Sequence, residues 1–159
     1  MTKFPGPSIP QRLLSGGFRL FFPGSALLAA VSIAIWVPWF LGFMHVPTLL
    51  PPVAWHQHEL LFGFVPAVIA GFLLTAVPNW TGRPGLKGIS LLALFLLWIA
   101  GRLTISFSEW TGMLGAALVA LSFLPVLAIF VLKELVAASN RRNYKIVAVL
   151  ALLSAAQVF

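Results

Sequence analysis

The chain has 159 residues, 60% of them hydrophobic and 8% charged, with a mean hydropathy of +1.03, more apolar surface than a soluble domain of this size could hide. Ten Lys and Arg against three Glu give a net charge of +7, but the basic residues stand in short stretches between apolar runs and not in a stripe interleaved with stacking aromatics. That excludes nucleic acid as the partner and is the distribution that orients membrane helices in a lipid bilayer.

The fold class that follows is all-α: a polytopic transmembrane helix bundle with four full spans and the start of a fifth. Residues 1–23 are Pro/Gly-rich, carry Lys3, Arg12 and Arg19, and are expected to form a cytoplasmic N-terminal segment. Within it, Phe18 to Gly24 reads either as an amphipathic lead-in at the inner surface or as a structural element. The first span is expected at about 24–44, too long for a signal-peptide core and so retained. The second follows at 58–77, the third at 89–107 and the fourth at 112–135, with Pro125 expected to kink it. A fifth begins at about 145 and is still apolar at 159, short of the roughly 20 residues that span a bilayer. The expectation is a truncated product or fragment, whose partners would be the missing downstream helices or another membrane protein.

Charge sets the expected topology. Arg83 and Lys87 follow the second span, and Lys133, Arg141, Arg142 and Lys145 cluster after the fourth, whereas residues 45–57 and 108–111 hold no Lys or Arg. The positive-inside bias therefore predicts a cytoplasmic N-terminus, with the segment WHQHE on the outer face.

That segment carries the chemistry. Histidines and a carboxylate at the mouth of a membrane helix are expensive and read as functional by default. Helical spacing lines up His56, Glu59 and Gly63, and the stripe continues through Ala67, Gly71 and Thr75. It serves either as a helix-packing seam or as a surface for a flat cofactor. His56 and His58, two apart, point to different sides of a regular helix, so they do not chelate one metal together. They either cap the helix among headgroups or, with His45 in the same loop, ligate metal with Glu59 behind an imidazole fixing its tautomer. Arg102, inside the outer end of the third span, either snorkels to the headgroups or meets an anion such as Glu59, Glu109 or a haem propionate. Glu109 by itself reads as an interfacial loop residue.

Absences narrow the rest. No cysteine occurs, which rules out disulfides, thiolate metal sites, iron-sulfur clusters and CxxCH haem attachment within the chain. There is no Asp, Walker loop, dinucleotide glycine pattern or nucleophile elbow, so hydrolase and phosphoryl-transfer functions have no residues to stand on.

Three segments, FRLFFPGSALLA, WHQHELLFGFVPAVIAGFLLTAVPNWTGRPGLKG and LLWIAGRL, together resemble the NnrS family of bacterial membrane proteins. The resemblance implies a polytopic inner-membrane protein associated with haem and copper and with the response to nitric oxide. It implies His56 or His58 as an axial haem or copper ligand, Glu59 as its supporting carboxylate, and Arg102 as the arginine of the G-R-L at the end of the following helix. The competing functions are a membrane permease or ion channel that uses the His/Glu/Arg cluster as a relay, and a structural subunit of a haem complex.

Overall fold

The computed structural model describes residues 8–158. Lys3, one of the three basic residues expected before the first span, and Phe159 lie outside them. Among the described residues every regular element is helical. In chain order these are α1 (Ile9–Leu13), α2 (Phe18–Phe40), α3 (Pro52–His58), a π-helical turn (Glu59–Phe64), α4 (Val65–Thr81), α5 (Gly88–Ser106), α6 (Ser108–Thr111), α7 (Met113–Ala137), a 3-10 turn (Arg141–Asn143) and α8 (Tyr144–Ala156).

Among the described residues four helices are long and apolar enough to cross a membrane: α2, the continuous rod Pro52–Thr81, α5 and α7. α8 spans 13 residues. Proline and glycine set most of the boundaries. Pro51 and Pro52 open α3, where a missing N–H costs nothing. α2 stops because Gly42 takes φ +82°. From there Gly42 donates its N–H to the Trp39 carbonyl at 3.0 Å and Phe43 donates to Pro38 at 2.8 Å, the left-handed cap that satisfies the last carbonyls of a helix.

Two bounds differ from the sequence reading for a packing reason. α2 begins at Phe18 and not at residue 24, so FRLFFPG forms its first turns. Phe21, fully buried, is the centre of the main core, with its ring 5.3 Å from Phe95, 6.2 Å from Trp98 and 5.9 Å from Phe123. Burying this ring holds the helix together through Pro23, which removes one backbone bond near its start. The second rod begins at Pro52 and not at 58, which carries WHQHE inside the helix. α7 runs unbroken through Pro125.

α5 packs chiefly on α7, while α2 packs on α4 and α3 and α8 packs on α7. The bundle thus has two differently tied ends. At one, rich in Lys and Arg, Arg83 pairs with Glu134 and Asn140 Nδ2 donates to the Trp80 carbonyl at 2.9 Å. At the other, Thr48 Oγ1 donates to the Ile105 carbonyl at 2.8 Å, Ser108 Oγ accepts the Leu49 N–H at 2.9 Å, and the Trp55 indole donates to Ser106 Oγ at 3.1 Å. This second end carries the candidate site.

Candidate functional site

Glu59 is 1% exposed, and its carboxylate is the hub. Oε1 accepts from Arg102 Nη1 at 3.3 Å and faces His58 Nδ1, also at 3.3 Å. Arg102 is itself 6% exposed. Of the two readings open in the sequence, snorkelling is therefore excluded: the guanidinium meets an anion, and the anion is Glu59.

Local backbone makes this possible. The rod switches to π-helical hydrogen bonding over Glu59–Phe64, a wider turn that occurs as a short bulge and often at functional sites. Within it the Gly63 carbonyl accepts the Trp98 indole N–H at 2.9 Å. Trp98 and Arg102 stand one helical turn apart on α5, so a single face of that helix grips the π turn twice. Gly63 is the residue that permits the approach. A Cβ there would lie 2.7 Å from Arg102 Nη1 and 3.0 Å from Glu59 Oε2.

Lower in the stripe, a Cβ on Gly71 would lie 2.7 Å from the Phe22 ring. Ala67 is fully buried, whereas Thr75 is exposed. From Gly63 to Gly71 the small residues are accordingly filled by side chains of α5 and α2, which is the packing-seam reading.

The three histidines part company. His58 is mostly buried, and beyond its contact with Glu59 it borders a cavity of about 560 Å³ that Leu61, Phe62, Ile105 and Leu121 help to line. His56 stacks on Trp36 of α2, with ring centroids 4.3 Å apart and planes 14° from parallel. Its Nδ1 and the Trp36 Nε1 are buried without a partner. His45 is exposed in the loop after α2, where Nε2 lies 3.2 Å from Glu109 Oε1. Among the described residues, no three His, Cys, Asp or Glu side chains converge as a metal ion requires.

Spacing found Glu59 and Gly63, and a charge inside an apolar run found Arg102, but three contributors were missed. Trp98 carried a usable signal, its four-residue spacing to Arg102 in WIAGR. Trp36 and the π turn carried none, because neither a stacking partner from another helix nor a change of helical register is written in local periodicity.

The same residues can be tested against the groups that the resemblance implies. A haem ligand is one imidazole with a fixed tautomer and a free second nitrogen on an apolar wall. His58 fits that description: Glu59 engages Nδ1, which leaves Nε2. Buried, partnerless Nδ1 on His56 likewise leaves that ring a donor or acceptor unspent. Among the described residues these side chains do not converge in threes, so they do not by themselves make a several-donor copper site.

Residues 12–159 match the family model described as NnrS protein. No curated protein and no solved structure matches the chain.

Proposed function

The chain belongs to the NnrS family, and from that membership we propose an integral membrane haem protein of the bacterial inner membrane that acts in the response to, or protection from, nitric oxide. The observation that supports this reading most directly is the buried row His58, Glu59, Arg102, three polar side chains committed to one another at the end of a rod otherwise built for lipid. Such a row is costly in hydrocarbon and is retained where it serves a site.

In this reading His58 is the ligating imidazole. Glu59 holds the proton on Nδ1 and keeps the ring oriented, and Arg102 holds the carboxylate in place. Gly63 and Trp98 keep the pair from shifting. Haem, when bound, supplies the iron at which a diatomic ligand is held. His56 stands as the second candidate, its ring set by Trp36 and not by a carboxylate. The proposed orientation puts the Lys/Arg-rich end in the cytoplasm, with WHQHE at the outer face.

The test is haem content and optical spectrum per folded chain, with folding followed separately. His58→Ala is expected to abolish or shift the Soret band and its change with nitric oxide. Glu59→Gln is expected to weaken binding by about 10- to 100-fold, the usual size of a loss in the residue supporting a ligand. An unchanged spectrum in the His56→Ala, His58→Ala double variant would end the ligand assignment. Orientation is read with single cysteines, Ala54→Cys and Pro84→Cys. Modification of the second but not the first by a reagent that cannot cross the membrane would reverse the topology.

A further inference from the structure

At the Lys/Arg-rich end an open cleft of about 400 Å³ lies between the link from α1 to α2 and the loop from α4 to α5, where Ser15, Asn79, Arg83 and Lys87 meet Phe18 and Thr75. The last two also line a groove of about 310 Å³, which continues between α2 and α4 along Phe22, Gly71 and Phe72. The groove is lined by no charged residue, and its three phenylalanines are exposed on the flank of the bundle. One depression results, polar at the end of the bundle and apolar along its side.

Charge and depth together say what such a depression takes. Of the chain's three acidic side chains, Glu134 is the one at this end, and Arg83 Nε already engages it. Lys87 and Asn79 form no side-chain hydrogen bond or ion pair among the described residues, and the Arg19 guanidinium stands over the Phe18 ring, 5.1 Å from its centroid. The polar end therefore has cations without an anion. α4 ends at Thr81, so Gly71 lies about 15 Å below that end at a rise of about 1.5 Å per residue. That is the depth of one leaflet, half of a hydrocarbon core about 30 Å thick.

We infer that this depression binds one anionic phospholipid, its phosphate held by Lys87 with Asn79 and Arg83 and one acyl chain laid along Phe18, Phe22 and Phe72. A soluble anion would answer the cations but leave the groove empty, and an apolar helix would fill the groove but leave the cations unanswered. A lipid does both, and basic pockets at the cytoplasmic ends of membrane helices hold such headgroups. An open flank is what this ligand needs, since its chain enters sideways from the bilayer. The inference rests on the four spanning helices and not on the haem reading, which uses the opposite end.

Native mass spectrometry of the whole chain, released from nanodiscs of phosphatidylcholine with a minority of phosphatidylglycerol, reads the lipid that stays bound. Retention of one phosphatidylglycerol, enriched over phosphatidylcholine, is expected. Lys87→Gln is expected to lower that enrichment about fivefold, the contribution of one basic residue to an anionic lipid, and Lys87→Arg to restore it. Lys145→Gln removes the same charge from the same end but outside the cleft, and is expected to leave the enrichment unchanged. Thr75, exposed where cleft and groove meet, gives a matched pair: Thr75→Phe closes the junction and is expected to lose the lipid, while Thr75→Val keeps the space and the lipid. Equal retention of the two lipids by the unaltered chain, or equal losses in Lys87→Gln and Lys145→Gln, would overturn the inference by reducing it to diffuse surface charge. So would displacement of the lipid by inorganic phosphate at fixed ionic strength, which would make the cleft a site for a free anion. A lipid-free dimer that Thr75→Phe weakens would overturn it too, by seating a second copy in the groove.

Discussion

The two ends of the bundle each carry an Arg–Glu pair, and the pair with the shorter contact is the weaker one. Arg83 Nε lies 2.6 Å from Glu134 Oε2, but the arginine side chain is 42% exposed. Arg102 Nη1 lies 3.3 Å from Glu59 Oε1, with side chains only 8% and 1% exposed. At the first, water and ions screen the attraction and solvate the arginine if its partner is lost, although Glu134, with its side chain 11% exposed, keeps little solvent of its own. At the second neither relief exists, so each charge depends on the other. Burial, not distance, decides which pair the fold must keep.

The sharpest way to break this comparison is to remove one charge at the site end. Arg102→Ala leaves the Glu59 carboxylate buried and unpaired, and about 3–5 kcal/mol of stability is expected to go with it. Replacing the whole pair, as Glu59→Leu with Arg102→Met, is expected to recover most of that loss, since well-packed apolar residues often equal or exceed a buried ion pair. Reversible unfolding in mixed micelles reads both. A double variant as unstable as the single would mean that the stability lies in the Arg102 stem and its packing, and not in the charge.

That pair was half legible in the sequence. Arg102 and Glu59 each stood out as a charge inside an apolar run, and Gly63 fell on the face of Glu59 by spacing alone. Choosing Glu59 over Glu109 or the headgroups was beyond the sequence, because it depends on how α5 lies against the π turn. The four spanning helices were legible for a stronger reason: hydropathy over some twenty residues is a sum, and sums survive local errors. Their ends were less so. Phe21, which pulls the start of α2 back to Phe18, looks no different in sequence from the exposed Phe18 and Phe22 beside it.

Next in size is the glycine beneath the pair. Gly63→Ala drives a methyl against a guanidinium that cannot leave its carboxylate, and about 1–3 kcal/mol is expected to be lost to overpacking. Gly71→Ala meets the Phe22 ring at the same 2.7 Å and the Phe21 Cβ at 3.2 Å, but the tighter neighbour, Phe22, is 42% exposed and has room to turn. Its cost is expected to be clearly smaller. Equal losses at the two positions would show that backbone separation, and not the fixed ion pair, sets the tolerance of the seam.

At the Lys/Arg-rich end Arg83→Ala strands a carboxylate that is only 11% exposed but close to solvent, and is expected to cost about 1–3 kcal/mol, less than Arg102→Ala and less as salt is raised. The Asn140 bond to the Trp80 carbonyl still ties the ends of α4 and α7 there. A loss as large and as salt-independent as that of Arg102→Ala would erase the distinction between the ends.

The smallest effect is expected at the most exposed pair, His45 with Glu109, whose side chains are 67% and 37% accessible. It lies at the site end and spans the loop after α2 and the turn after α5, so by position alone it could pass for the latch of this end of the bundle. The backbone argues otherwise. Glu109 N–H donates to the Pro47 carbonyl at 3.1 Å, and Thr48 Oγ1 reaches the Ile105 carbonyl at 2.8 Å and Ser108 Oγ at 3.1 Å. These bonds do not use the Glu109 carboxylate, and Thr48 and Ser108 are buried. Glu109→Gln is therefore expected to change stability by only a few tenths of a kcal/mol, within the range of exposed pairs. Thr48→Val strands the groups that Thr48 satisfies and is expected to cost about 1–3 kcal/mol. Hydrogen exchange at the Leu49 and Glu109 amides distinguishes the two, with faster exchange expected only in Thr48→Val. Faster exchange in Glu109→Gln would make the surface pair, and not the buried hydroxyls, the tie that closes this end of the bundle.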